Sequence, residues 1–354
     1  MTVYAAAVRR FSAAQGPGWL RSLRFDVTLI GGVLLIALIS GLVVVANPAL
    51  FKIVLLLDLW FLGYHHVVAT FTRLSFDRES LRQHRFLVFG LPPIVFATIF
   101  TLAYGVGVWV IVSVYLYWQW FHYTRQSWGI SQVYRRKSGG LVEDGLWFSR
   151  LSFYLLPAWG ILYRSWQAPG EFLGAELRVI PVPELLVDVV GVAALASVLA
   201  WVFVRAKAWR TGQLALAHTF YMLSHYVVFF VGYWAIEDIT YGWLVINVWH
   251  NAQYILFVWL YNTNRYKSGI DPKAKFLSWL SQPNKFADYF MICFGISTAI
   301  YFSFLFVSTS FALVGVPLLI IIYQAINFHH YIVDGLIWKV SKKPIRKNLG
   351  LTPP

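Results

Sequence analysis

The sequence predicts an all-α, polytopic membrane protein: a bundle of about ten transmembrane helices with both termini cytoplasmic. Three observations lead there. The 354 residues are 59% hydrophobic and only 12% charged, with a mean hydropathy of +0.62, whereas a soluble domain carries about 25% charged residues. Apolar windows of roughly 20 residues, the length that crosses ~30 Å of hydrocarbon, recur along the whole chain. The basic residues between those windows alternate in density, as the positive-inside rule requires.

Taken in order, residues 1–25 form a basic segment with Arg9, Arg10, Arg21 and Arg24. It lacks the apolar stretch of a cleaved signal peptide and reads as cytoplasmic. The membrane domain, 26–338, contains windows at 27–46, 51–71, 86–104, 106–127, 147–165, 185–204, 213–235, 241–261, 287–308 and 312–334. Every second connection is basic. Of the 29 Lys and Arg residues, all but Lys52, Arg164 and Arg178 fall on the cytoplasmic side of this arrangement, including the tail 339–354 with Lys339, Lys342, Lys343, Arg346 and Lys347. An odd number of spans breaks that alternation. The inner connections 128–146 and 262–286 read as long loops. The outer connection 166–184, with Pro169, Glu171, Glu176, Pro181, Pro183 and Glu184, reads as a cap over the bundle. Pro92-Pro93 is the one strong break within a window.

Composition also excludes several functions. A single cysteine, Cys293, rules out a disulfide framework within the chain and a cysteine-based zinc or iron–sulfur site. Neither GxGxxG nor a P-loop is present, so no nucleotide site is expected. The net charge of +14 reports topology and contacts with anionic lipid headgroups, not nucleic acid. The expected location is a bacterial inner membrane.

The chemistry-bearing feature is histidine. His65, His66, His84, His122, His218, His225, His250, His329 and His330 lie in or beside the apolar windows, and the predicted topology puts them all between midplane and cytoplasmic surface. Ionisable side chains within spans are rare, face the bundle interior and mark functional sites. Their helical neighbours at three or four residues are polar: Asp334 and Asn327 beside His330, Gln119 and Gln126 beside His122, Asn247, Gln253 and Tyr254 beside His250, and Thr70 beside His66. Metal-bound histidines use such partners to fix their tautomer. The expected metal ligands are His65, His66, His122, His218, His225, His250, His329, His330 and Asp334, with Tyr254, Asn247 and Gln253 as catalytic or proton-donating companions. His84, at the interface, needs no ligand to explain it, and Asp58 is a lone acid toward the outer side of its span.

Imidazoles with a carboxylate and no thiolate suit iron, copper or zinc, and their number suits two ions. The clusters His65-His66, His218-x6-His225 and His329-His330-x3-Asp334 resemble the cytoplasmic-side histidine clusters of integral-membrane non-haem iron oxygenases, the desaturases, hydroxylases and alkane monooxygenases. The family's HxxxH and HxxHH signatures are absent, so the resemblance assigns no individual ligand. Bacterial membrane carotene-cleaving dioxygenases are similar in placing histidines within spans. The resemblance implies two iron ions, oxygen-dependent oxidation of a lipid or isoprenoid, and a cytoplasmic or membrane electron donor. Two other functions fit the residues: a haem-bearing electron-transfer or quinone-reacting protein, with haem clamped between facing histidines, and a proton- or metal-coupled transporter.

Overall fold

The computed structural model describes residues 18–139, 144–312, 318–339 and 342–351. Helix makes up 82% of it. The apolar segments leave their backbone polar groups no partner outside the segment, and a helix satisfies them internally. Among the described residues, ten long helical segments coincide with the ten windows. They are α1 (Leu23–Ala46), α2 (Pro48–Ser75), α3 (Phe86–Gly105), α4 (Val108–Lys137), α5 (Leu146–Gln167), α6 (Glu184–Arg210), α7 (216–235), α8 (Ile239–Arg265), α9 (Phe286–Ala312) and α10 (Leu318–Ile337).

Five of these, α1, α2, α3, α6 and α9, are long and apolar enough to cross a membrane. The others fall short on hydropathy because they bury polar side chains, among them Gln119 and His122 on α4, His225 on α7, Asn247 and His250 on α8, and His330 and Asp334 on α10. α8 forms the axis of the bundle. Its residues from Gly242 to Thr263 are buried almost without interruption, and α1, α2 and α7 pack around it. The outer faces of α1 and α6 instead expose large apolar side chains such as Leu35, Leu42, Val192 and Phe203. Apolar outside and polar inside is the pattern of a bundle solvated by lipid.

Short π-helical turns interrupt α1 (Thr28–Gly32), α2 (Leu59–Gly63), α3 (Phe86–Gly90) and α7 (Val231–Ala235). The turn in α2 directly precedes His65 and His66. Pro92 and Pro93 do not break α3, because they fall in the first turn of its regular part, Leu91–Gly105, where a missing N–H costs little. α7 and α8 approach closely at Gly232 and Gly242. A Cβ on Gly242 would lie 1.9 Å from the Gly232 carbonyl oxygen, so only glycine permits this crossing.

The connections differ from the sequence reading in two places. Residues 128–137 continue α4 instead of looping, because Ile130, Val133 and Tyr134 recur at helical spacing and pack with Tyr221, Tyr261, Ile345 and Leu349. The stretch 262–286 contains a short helix, Lys275–Leu280, whose Leu277 and Leu280 pack with Tyr289 and Cys293. The connection 166–184 is partly ordered by pairing and packing. It forms a two-stranded antiparallel ribbon, β1 (Glu171–Phe172) and β2 (Ala175–Glu176), and buries Phe172 against Tyr115 and Trp243.

Two of the three basic residues that break the charge alternation have local roles. Arg164 donates to the carbonyls of Glu237, Ile236 and Gly232 and so closes the C-terminal end of α7. Arg178 pairs with Glu176 at 2.7 Å. Most of the N-terminal segment (1–17) and the last residues of the tail (352–354) lie outside the described residues.

Candidate metal centre

Four helices bring four imidazoles and one carboxylate together. α2 supplies His66, α4 supplies His122, α8 supplies His250, and α10 supplies His330 and Asp334, and all five are buried. One donor atom each from His66, His250 and His330 lie within 4.8 Å of one another, as do donors from His122, His330 and Asp334. The Nε2 atoms of His66 and His330 stand 3.2 Å apart. Ring centroids are 5.4 Å apart for His66–His250, 5.2 Å for His122–His250 and 5.2 Å for His122–His330.

Donor counting around α10 fixes the orientation of two of these groups. The Tyr254 hydroxyl donates to Asp334 Oδ1 at 2.9 Å and accepts from Trp338 Nε1 at 2.9 Å. Thr70 Oγ1 is 2.6 Å from the Tyr254 hydroxyl and 3.3 Å from His330 Nδ1. With the tyrosine proton on Asp334, the Thr70 proton goes to Tyr254 or, at 3.4 Å, to Asp334 Oδ1. The threonine oxygen then accepts from His330 Nδ1–H. His330 is thereby left with a bare lone pair on Nε2, the nitrogen aimed at His66. Asp334 has Oδ1 occupied and Oδ2 facing His330 Nε2 at 3.6 Å.

A second set of bonds braces the other side. The Tyr123 hydroxyl donates to Asn247 Oδ1 at 2.5 Å, and Asn247 Nδ2 donates to Asp58 Oδ2 at 2.5 Å. Asn251 Nδ2 adds a longer contact to Asp58 Oδ1 at 3.4 Å. The Tyr123 ring lies 4.1 Å from His250, and Tyr331 stacks on His122 at 4.2 Å. Asp58 thus ties α2 to α8 and, through Asn247, to α4.

What this cluster lacks is hydrogen-bond partners. His122 Nε2, His250 Nε2, His66 Nδ1 and Asp334 Oδ2 are buried without any. A buried polar atom left unpaired costs about 1–3 kcal/mol, more for a charged group. Unpaired atoms on residues that form two overlapping donor triads are what a cation would satisfy. The donors present, imidazole nitrogen and carboxylate oxygen, fit iron, copper or zinc. The adjoining spaces are small. A cleft of about 90 Å³, lined by His122, Asp334, Tyr254, Trp118 and Arg125, reaches the centre from one side. A cavity of about 10 Å³, lined by His66, Asn247, Asn251 and Tyr323, lies on the other and has room for about one water.

The structure does not bring the remaining sequence-predicted ligands to this centre. Adjacent helical residues point about 100° apart, so only one member of each HH pair faces inward. His65 turns toward α9, edge-on to Phe290 at 4.5 Å. His329 meets the Leu87 carbonyl at 2.7 Å and stacks on Phe71. His225 lies 3.0 Å from Ser127 Oγ and 3.1 Å from the Phe153 carbonyl, between α4, α5 and α7. His218 lies 3.4 Å from Arg205 Nη2, within a buried ionic cluster in which Asp144 binds both Arg135 and Arg205. Gln253 accepts from the Tyr221 hydroxyl at 2.8 Å and serves helix packing. His84 Nδ1 meets the Ser80 carbonyl at 2.9 Å.

Sequence reading named Thr70 only as a companion of His66, gave Tyr123 no part in the metal centre and passed over Trp338. Trp338 was findable, four residues beyond Asp334. Tyr123 stands next to His122 in sequence but meets His250 across a helix interface, which no spacing reveals. No family model, curated protein or solved structure matches the chain.

Proposed function

We propose that this protein is a ten-span membrane oxidoreductase in which His66, His122, His250, His330 and Asp334 bind iron and use oxygen to oxidise a lipid or isoprenoid. The observation that carries this reading is a pair of buried donor triads, His66–His250–His330 and His122–His330–Asp334, that share His330 and include atoms without a hydrogen-bond partner. Four imidazoles and a carboxylate exceed the four ligands of a closed zinc site, and a nitrogen–oxygen set without thiolate suits iron. The two triads share His330 through one Nε2, so the donor set favours a single ion over two. The imidazoles crowd at centroid separations of 5.2–5.4 Å from four helices instead of facing each other as one pair, which weighs against haem. Iron would supply the redox chemistry with oxygen that unactivated carbon requires.

The chain's own groups would do the rest. His330 is held in its binding tautomer by Thr70, and Asp334 is held by Tyr254. Tyr254 is also the proton-bearing group nearest the carboxylate and can return a proton to it. Burial of the centre keeps bulk water from competing. Electrons would come from a cytoplasmic or membrane donor, because in the proposed topology the cleft opens toward the cytoplasmic end of α4 and α10.

Elemental analysis and an optical spectrum of the detergent-purified protein test the reading. One iron per chain without a Soret band is the expected result. A Soret band makes it a haem protein, and no stoichiometric metal overturns the reading. Reporter fusions test the topology: positions 210 and 275 should report cytoplasm, and position 175 the outside.

A further inference from the structure

The cleft that reaches the metal centre does not end there. Trp118 and Phe121 line it and also line a larger groove of about 830 Å³ that runs along α4 to Val114, Val110 and Trp109. Sharing Trp118 and Phe121, the two spaces are adjacent along the flank of α4, and together they outline a furrow. Arg125, Phe121, Trp118 and Val114 recur at three or four residues and so share a helix face, and Phe121 and Val114 are exposed. A cation stands at each end. At the far end Arg178 is committed to Glu176 at 2.7 Å and lies over Trp109. At the near end Arg125 lines the cleft and, among the described residues, makes one long hydrogen bond, 3.3 Å, to the Gly335 carbonyl. An anion would therefore be drawn to the near end. Along the helix, Arg125 and Val114 are about 17 Å apart at 1.5 Å per residue. That is roughly half of the ~30 Å hydrocarbon thickness, the reach of one leaflet's chain.

We propose that the furrow binds a long-chain carboxylic acid, with its carboxylate on Arg125 and its chain over Phe121, Trp118 and Val114. One guanidinium and a single file of floor residues match a monoanion with one chain. His122 is less than one helical turn from Arg125, so the carbons nearest the carboxylate pass His122 and Asp334. In that last respect the inference rests on the metal-centre reading and narrows its substrate class, with attack close to the head. Binding itself does not need the metal.

The test titrates metal-stripped, full-length protein in detergent with parinaric acid, a fluorescent polyene acid, and with its methyl ester. The acid should bind about tenfold more tightly than the ester, the size expected of one charge-assisted hydrogen bond. Arg125→Gln should abolish that preference and leave ester binding unchanged. Val114→Trp, an exposed position where folding is not at stake, should weaken long-chain acids and spare medium-chain ones. Equal affinity for acid and ester, an Arg125→Gln variant that still prefers the acid, or Val114→Trp without chain-length effect overturns the proposal. So does native mass spectrometry showing that Arg125 retains an anionic phospholipid that free acid does not displace. Because no metal is present, failure of the iron reading leaves this result standing, and the reverse also holds.

Discussion

Asp334 gives the sharpest test of the centre. Its Oδ1 is occupied by the Tyr254 hydroxyl at 2.9 Å, while Oδ2 has no partner and stands 3.6 Å from His330 Nε2. Asp334→Asn keeps the shape and leaves an oxygen for Tyr254, but replaces a charged ligand with a dipole. Two unit charges 4 Å apart attract by ~4 kcal/mol at an effective dielectric of ~20. With the amide dipole retaining part of that, a loss of about 2–3 kcal/mol remains, roughly 30–150-fold in metal affinity. The metal-free protein should behave in the opposite sense. A buried carboxylate is costly to desolvate, and nearby Arg73 offsets only part of that cost, so the variant should melt no lower than the metal-free wild type. Competition against graded metal chelators measures the first quantity, and thermal unfolding in detergent with and without chelator measures the second. If Asp334→Asn holds metal as tightly as the wild type, the carboxylate belongs to the hydrogen-bond network of Tyr254 and Trp338 and is no ligand.

Three further outcomes follow from the geometry. His66→Ala and His250→Ala should each abolish stoichiometric metal, whereas His65→Phe, beside a ring it already packs against, should leave metal content unchanged by elemental analysis; equal loss in all three would remove the distinction between inward and outward members of the pair. Thr70→Val removes the acceptor for His330 Nδ1–H and should lower metal affinity by about tenfold, with Thr70→Ser restoring it, since outer-shell partners of metal-bound histidines typically contribute about 10–100-fold; a Val variant with wild-type affinity would mean the tautomer is set elsewhere. Gly242→Val forces a side chain against the Gly232 carbonyl and Arg164 and should destabilise the fold by about 1–3 kcal/mol or more, read as a lower melting temperature. Gly31→Ala, with nothing within 4 Å, is the control.

Helix positions were legible in the sequence because apolar length is a local property. Each window states by its own composition that its backbone must be satisfied internally, and all ten coincide with long helices. The extension of α4 to Lys137 was not read, because its pattern there becomes amphipathic and resembles a soluble helix. Hydropathy is also misleading at the centre of the bundle. α8 and α10, the helices that carry His250, His330 and Asp334, are less apolar than the lipid-facing α1 and α6, since their polar residues are buried against protein.

The sequence by itself determined that the chain is helical and strongly apolar, with imidazoles in or beside its apolar windows, and that His330 and Asp334 share one helix face. Only the tertiary structure decided which imidazoles meet. A helix rotated by 100° exchanges His65 for His66, or His329 for His330, and that rotation is set by packing with neighbours far away in the chain: α8 against α2, and α10 against α2 and α4. The same packing sends His218 and His225 to the α4–α5–α6 side of α7, where a carbonyl, a serine and an ion cluster occupy them. Helical spacing is a property of one segment. A metal centre assembled from four segments depends on their rotations relative to one another, and the tertiary contacts alone supply these.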